Sequence, residues 1–254
     1  KRRKHAPAPA RMGANASTAG RDAPAAAARY MVRLRDAWGV ERSEEIAGDA
    51  STAMSLAITD AKGAYAAVVV SGANRENDGS LAMSLSPDVA LIQNEIPDAA
   101  NRVFAEALPA KTRLIWNAAP ARPWIPEVGA RTDLLVVNSL EAEDLAGYTD
   151  AEMSAYALNS QVRGSVIVTL GAEGALLARK DGNVVHYPVA STEVVSSHGA
   201  GDMVCGALAA CLAEGSDLVP ALDFAQTAAR LFVGARITDR SAITGSVVRT
   251  AQSG

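Results

Sequence analysis

Beyond residue 88 the chain alternates short apolar runs with longer mixed stretches. VALIQ (89–93), RLIWN (113–117), DLLVVN (133–138) and SVIVTL (165–170) are rich in Val, Ile and Leu and too short for helices. Such runs predict strands buried on both faces, as in a largely parallel sheet. Between and after them, helical periods are predicted over 97–108 (opened by Pro97), Leu140–Leu145 (stopped by Gly147), 202–214 and 219–234. Two pairs of runs read as hairpins. AMSLAIT (53–59) and AYAAVVV (64–70) flank Asp60-Ala61-Lys62-Gly63, and ALLAR (175–179) and VVHYPV (184–189) flank Asp181-Gly182-Asn183. Upstream, Tyr30, Met31, Leu34 and Trp38 predict a helix over 24–38 that Gly39 ends, while residues 1–20 show no clear period. Strand and helix in alternation indicate an α/β fold with helices on both faces of the sheet.

Composition narrows this picture. A chain of 254 residues fits one large α/β domain, and 49% hydrophobic residues supply a sizeable core. A net charge of -4 argues against a nucleic-acid or membrane binder. The basic run Lys1–His5 reads as a solvated tail. The chain has no apolar stretch of membrane-spanning length, and its N-terminal residues lack a secretory h-region. Cys205 and Cys211 fall on different faces of one predicted helix, so neither a disulfide nor a metal-site spacing is expected. Two reduced thiols suit a cytoplasmic enzyme.

The segment that carries chemistry is Ser196-Ser197-His198-Gly199-Ala200-Gly201-Asp202, followed at once by the apolar MVCGALAACLAEG. Glycines around one alanine allow a tight turn and close approach of main chain to a ligand. The helix that starts there presents open N–H groups and the positive end of its dipole, an anion site. Asp202, in the first helical turn, has two readings. It caps the helix, or it accepts a proton from an attacking hydroxyl.

The segment resembles the signature of the ribokinase (PfkB-type) carbohydrate kinases, and further motifs follow in the same order. Thr169-Leu170-Gly171-Ala172-Glu173-Gly174 is similar to that family's nucleotide-binding turn. Asn138-Ser139-Leu140-Glu141 is similar to its Asn-x-x-Glu element, linked to Mg²⁺ and phosphate. Gln93-Asn94-Glu95 resembles its sugar-contacting acid, Asn117-Ala118-Ala119-Pro120-Ala121 the next strand's exit, and Gly13-Ala14-Asn15 the tail of its sugar-binding turn. Read without the resemblance, Asn138 is equally a helix cap, Glu95 a solvated loop acid and Thr169 an ordinary strand residue. Glu95, Asn117, Asn138 and Thr169 all fall at predicted strand ends, where open parallel sheets bind ligands.

The resemblance implies a ribokinase-like three-layer sandwich over residues 1–254, with a mostly parallel sheet and a small β lid at 53–70. It implies ATP-dependent transfer to a sugar hydroxyl, a pentose such as D-ribose being preferred. Asp202 would be the base, and Gly199, Ala200 and Gly201 the anion hole. Asn15, Glu95 and Asp202 would contact the sugar. Asn138, Thr169, Gly171, Gly174 and His198 would hold ATP, and Asn138 and Glu141 would hold Mg²⁺ largely through water. In relatives the flap also makes a homodimer contact.

Three departures qualify these expectations. Ser196 stands where the family has an acid that helps bind a monovalent cation, and His198 where it has a hydroxyl residue, so K⁺ would depend on main-chain carbonyls. Met12 stands where Gly-Lys is usual. About one strand–helix–strand unit of the family, a strand before that sugar-binding turn and a helix and strand just after it, has no counterpart, so either residues of the full polypeptide are absent, the favoured expectation, or the protein is degenerate. The rival readings are a kinase for a nucleoside, a sugar phosphate or a keto-deoxy sugar acid, and a non-catalytic nucleotide- or sugar-binding protein. A dehydrogenase is disfavoured, because no Gly-x-Gly-x-x-Gly follows the first strand.

Overall fold

The computed structural model describes residues 7–22, 36, 37, 39–46, 50, 51, 53–59, 65–80 and 85–253. Its centre is a six-stranded sheet, built from β5 (Val89–Gln93), β6 (Arg113–Asn117), β7 (Leu134–Asn138), β8 (Ser165–Thr169), β9 (Ala175–Ala178) and β10 (Val184–Tyr187) in simple chain order. β5 to β8 are parallel, and β9 and β10 extend the edge antiparallel. The expected mostly parallel α/β sheet is present, with its strands where the apolar runs predicted them.

Both faces of that sheet are covered. One face presents Ile115, Leu134, Val136, Ile167 and Leu177 to α6 (Ala200–Ala213), α7 (Leu218–Gly234) and parts of α1 (Pro7–Arg11) and α8 (Gly245–Ser253). The other presents Leu114, Trp116, Leu135, Val137, Val166 and Val168 to α2 (Asp98–Ala107), α3 (Pro126–Arg131), α4 (Ser139–Ala146) and α5 (Ala151–Asn159). Successive side chains of a strand point to opposite faces, so each strand feeds both cores. Burying one such Leu, Ile or Val contributes about 1.5–3 kcal/mol. The result is the three-layer sandwich expected.

Two small sheets stand apart from the central one. β1 (Ser17–Asp22) pairs parallel with β2 (Glu41–Ile46), residue for residue. β3 (Met54–Thr59) pairs antiparallel with β4 (Tyr65–Val70), from Met54 opposite Val70 to Thr59 opposite Tyr65. The second pair is the predicted hairpin; its turn at 60–64 lies outside the described residues. So does most of the predicted 24–38 helix, of which Asp36 and Ala37 are helical. α1 and β1 fall in a segment where no period is legible. Ala8 and Met12 are nonetheless buried, because α1 lies on α6 with Ala8 and Pro9 against Gly206.

Candidate active site

The carboxyl ends of β5 to β8 form one edge, and the start of α6 faces it. Each expected residue on that edge is placed by a local device. Asn138 ends β7 and begins α4 through a capping box: Glu141 N–H donates to Asn138 Oδ1 at 2.8 Å, and Asn138 N–H donates to Glu141 Oε2 at 2.9 Å. This reciprocal pair is the capping reading of the motif, and it fixes the Glu141 carboxylate at the strand end. Thr169 is the register partner of Asn138 on the neighbouring strand, and its Oγ1 donates to Val137 O at 3.4 Å.

The turn after Thr169 depends on its glycines. Gly174 has φ 99° and ψ -128°, and a Cβ there would fall 2.2 Å from Tyr187 O. No L-residue fits such a site. Leu170 N–H donates to Gly174 O at 2.8 Å and closes the turn. Gly171 (φ 64°) has no atom within 4 Å of its would-be Cβ, so it borders open space.

On β5 the acid is carried by a buried amide. Asn94 is 1% exposed, accepts from the Trp116 indole at 2.8 Å and donates to Pro120 O at 3.1 Å. Trp116 in turn lies 4.9 Å from Trp124, ring to ring. Asn94 therefore ties the exits of β5 and β6 together and sets the position of Glu95, which is half-buried. Asn117 is buried at the end of β6, opposite Gln93.

Gly199 caps α6 in the left-handed region (φ 86°, ψ 7°), and Met203 N–H donates to its carbonyl at 3.0 Å. Asp202 is half-buried, with Oδ2 3.8 Å from where a Gly199 Cβ would stand. The carboxylate thus bends back over the turn. Ala200 N–H donates to Ser197 O at 3.1 Å and closes the turn. That corrects the expectation that it serves as an outward anion-hole donor. By helix geometry the amides of Gly199 and Gly201 are among those at this end without an acceptor inside the helix. A Cβ on Gly201 would meet nothing within 4 Å, so the space above it is open.

Electrostatics link the two helix starts. Burial pushes the Cys205 thiol up, and the negative charges of Asp202 and Glu141 add to that push. One buried thiol thus feels both carboxylates, one from α6 and one from α4. Burial also raises the Glu141 carboxyl above its ordinary range, partly offset by the Asn138 hydrogen bonds. Among the described residues no cation pairs with it, and a desolvated carboxylate of that kind suits a site that receives a cation with its ligand. Among the described residues there is no cluster of three or more His, Cys, Asp and Glu side chains for a metal. Glu141, held by Asn138, fits Mg²⁺ as it is usually bound, by one or two carboxylates together with phosphate oxygens and water.

Asn15 does not join this constellation. It is exposed beyond α1, and neighbouring Gly13 lies 3.5 Å, measured from its would-be Cβ, from the Glu214 carboxylate at the far end of α6. That end is about 18 Å from Asp202 at 1.5 Å per helical residue. The Gly13-Ala14-Asn15 segment closes a helix and leads into β1, so its likeness to a sugar-binding turn is misleading. His198 is exposed within the turn.

Two residues behind the turn were not legible in the sequence. Arg240 follows α7 in a short 3₁₀ turn and is 8% exposed. Its Nη1 donates to His198 O at 2.9 Å, and its Nη2 donates to Ser196 O. Its Cζ lies 4.2 Å from the centroid of Phe232, whose Cε1 would be 3.2 Å from a Gly199 Cβ. Forty-odd residues separate Arg240 from the turn, in a polar stretch with no motif.

The pfkB family carbohydrate kinase pattern matches residues 5–244. The chain belongs to the pfkB carbohydrate kinase family. Ribokinase of Bacillus subtilis is 32% identical over 179 residues, which is 68% of this chain and 59% of that protein. Bifunctional protein HldE of Azorhizobium caulinodans is 38% identical over 116 residues, 44% of this chain and 24% of that protein. The pfkB chain thus spans well under two thirds of the length of these relatives. Among solved structures, ribokinase of Thermotoga maritima superposes with TM-score 0.87 at 24% identity, covering 99% of this chain and 86% of that one. Adenosine kinase of Sinorhizobium meliloti superposes with TM-score 0.84 at 19% identity, covering 99% of this chain and 82% of that one. These superpositions give the pfkB chain the ribokinase fold.

Proposed function

We propose that this chain transfers the γ-phosphoryl group of ATP to a hydroxyl of a small carbohydrate, a pentose such as D-ribose being the preferred acceptor. The observation that carries the reading is the start of α6, an open left-handed glycine turn with the Asp202 carboxylate folded 3.8 Å from its Gly199 edge. A base and an anion cradle lie side by side, as an alcohol nucleophile and a moving phosphoryl group require. A ribokinase solved with ribose and ATP has the same fold, with TM-score 0.83.

In this mechanism Asp202 accepts the hydroxyl proton, and the amides of Gly199 and Gly201 stabilise charge on the migrating group. Glu95 contacts the acceptor, and Thr169, Gly171, Gly174 and His198 border the nucleotide. Glu141, oriented by Asn138, would hold Mg²⁺ largely through water, and the ion would neutralise charge on the ATP phosphates, which leaves Asp202 free to act as the base. The β3–β4 hairpin serves as the lid over the acceptor and as the contact of a homodimer. Two free thiols, Cys205 and Cys211, and an ATP requirement fit a cytoplasmic site of action. No helix among the described residues is long and apolar enough to cross a membrane.

The test is Asp202→Asn, assayed for ATP consumption with MgATP against D-ribose, adenosine and a panel of sugars. Turnover falls by about 10³-fold while ATP binding by calorimetry is kept. Unchanged turnover in the variant removes the base, and wild-type hydrolysis that ignores every acceptor removes the kinase reading. Among the acceptors, a preference for adenosine over D-ribose transfers the assignment to a nucleoside kinase.

A further inference from the structure

The glycine turn is gripped from behind by a fixed positive charge. Arg240 donates to the carbonyls of Ser196, His198 and, at 3.4 Å, Ala235, and it stacks on Phe232. Among the described residues no carboxylate lies within ion-pair distance of it. A buried guanidinium with carbonyls and a ring as its partners is held by dipoles and by the ring face. Its geometry has a consequence for the turn. In a trans peptide, C=O and the following N–H point in opposite directions. Fixing His198 O on Arg240 therefore turns Gly199 N–H away from Arg240, toward the open side. Fixing Ser196 O does the same for Ser197 N–H.

The same oxygens bear on the monovalent cation that the family resemblance raised. The expected acid is Ser196, and the carbonyls that would have to replace it at 196 and 198 already accept from Arg240. A K⁺ ion there would have to displace the guanidinium or sit against its charge. The residues do not fit the ion. We propose that Arg240 is a positioning residue that acts as a resident cation: it orients the anion-hole amides of the glycine turn and makes the protein independent of K⁺.

This inference rests on the kinase reading, so its test has one arm without turnover. In that arm, hydrogen exchange of the bonded turn amides, Ser196 (to Val233 O) and Ala200 (to Ser197 O), is followed at constant ionic strength in potassium, sodium and choline chloride. The wild-type protein shows the same protection and the same Tm in all three. In Arg240→Met, exchange in the turn rises by about tenfold or more, and K⁺ or millimolar methylguanidinium restores part of the protection. Wild-type protection that needs K⁺, or an Arg240→Met turn that exchanges like wild type, overturns the proposal. Should Arg240→Met fail to fold, Arg240→Lys and the wild-type salt comparison decide it. Lysine reaches one carbonyl, and partial protection is the result expected.

The second arm uses MgATP and D-ribose. Arg240→Met lowers kcat about a hundredfold with little change in KM for ATP, and methylguanidinium recovers part of it. A variant that raises KM alone, or a wild-type enzyme that K⁺ activates, overturns the proposal. A wild-type protein with no turnover on any acceptor fails the kinase reading, while the exchange arm still decides the role of Arg240.

Discussion

Single glycines separate folding from chemistry at this site. Gly174 sits where a Cβ would press on Tyr187 O at 2.2 Å, with φ 99°. Gly174→Ala therefore loses about 1–3 kcal/mol from backbone strain before any contact with a ligand is considered. Gly201 has normal helical geometry and open space around its would-be Cβ. Gly201→Ala should leave Tm within about a degree of wild type, because exposed sites in a helix accept alanine. On the proposed kinase mechanism, the added methyl group stands in the path of the phosphoryl group, so kcat should fall. Thermal melts and turnover on MgATP and D-ribose check both variants. Equal effects on the two quantities at Gly201 would mean that the turn is structural only. Sequence alone flagged both glycines but could not rank them, because the distinction lies in what each faces across the chain.

At the scale of elements, the α4 cap joins stability to charge. The Glu141 carboxyl has a raised pKa in the fold, desolvation outweighing the Asn138 hydrogen bonds. A raised carboxyl binds its proton more tightly folded than unfolded. Its contribution to stability is therefore fully present below the ordinary value of 4.5 and is lost as pH rises through the folded value. Glu141→Gln keeps an oxygen for the Asn138 N–H and removes the charge. Its Tm, relative to wild type, should be higher at neutral pH and should converge on wild type near pH 3. Affinity for MgATP falls in the same variant. A Tm difference independent of pH would show that the carboxyl is not desolvated as described. The central strands were legible almost to the residue, because β5 to β8 are apolar on both faces and stand out as runs. α3 and α5 were not. α3 starts at Pro126 inside a proline-containing loop, and α5 blurs its own period, because Met153 and Tyr156 are exposed while Ser154 and Asn159 are buried. The strand ends then placed Glu95, Asn138 and Thr169 on one edge without further information, since chain order and sheet order coincide.

Over the whole molecule, the part least legible in sequence is packed on the helix proposed to carry the chemistry. α1 is Ala- and Pro-rich and reads as unstructured, yet Ala8 and Pro9 rest on Gly206 in the middle of α6. The motif match that put Asn15 in the sugar site failed for the same reason: a short motif is read along the chain, while α1 runs along α6 toward its far end. The contact makes an overall prediction. Alanine at 206 gains up to about 1 kcal/mol in helix propensity over glycine. Its Cβ, however, would lie 2.3 Å from Ala8 Cβ and 2.9 Å from Pro9 Cδ. Overpacking of this kind costs about 1–3 kcal/mol, so the crowding wins. Gly206→Ala should lower Tm by a few degrees and speed proteolysis near residues 7–15. Gly206→Ala combined with Ala8→Gly, which removes the clashing methyl group, should recover part of the loss. A variant melting above wild type would mean that α1 is not packed on α6, and that the N-terminal segment contributes nothing to holding that helix in place.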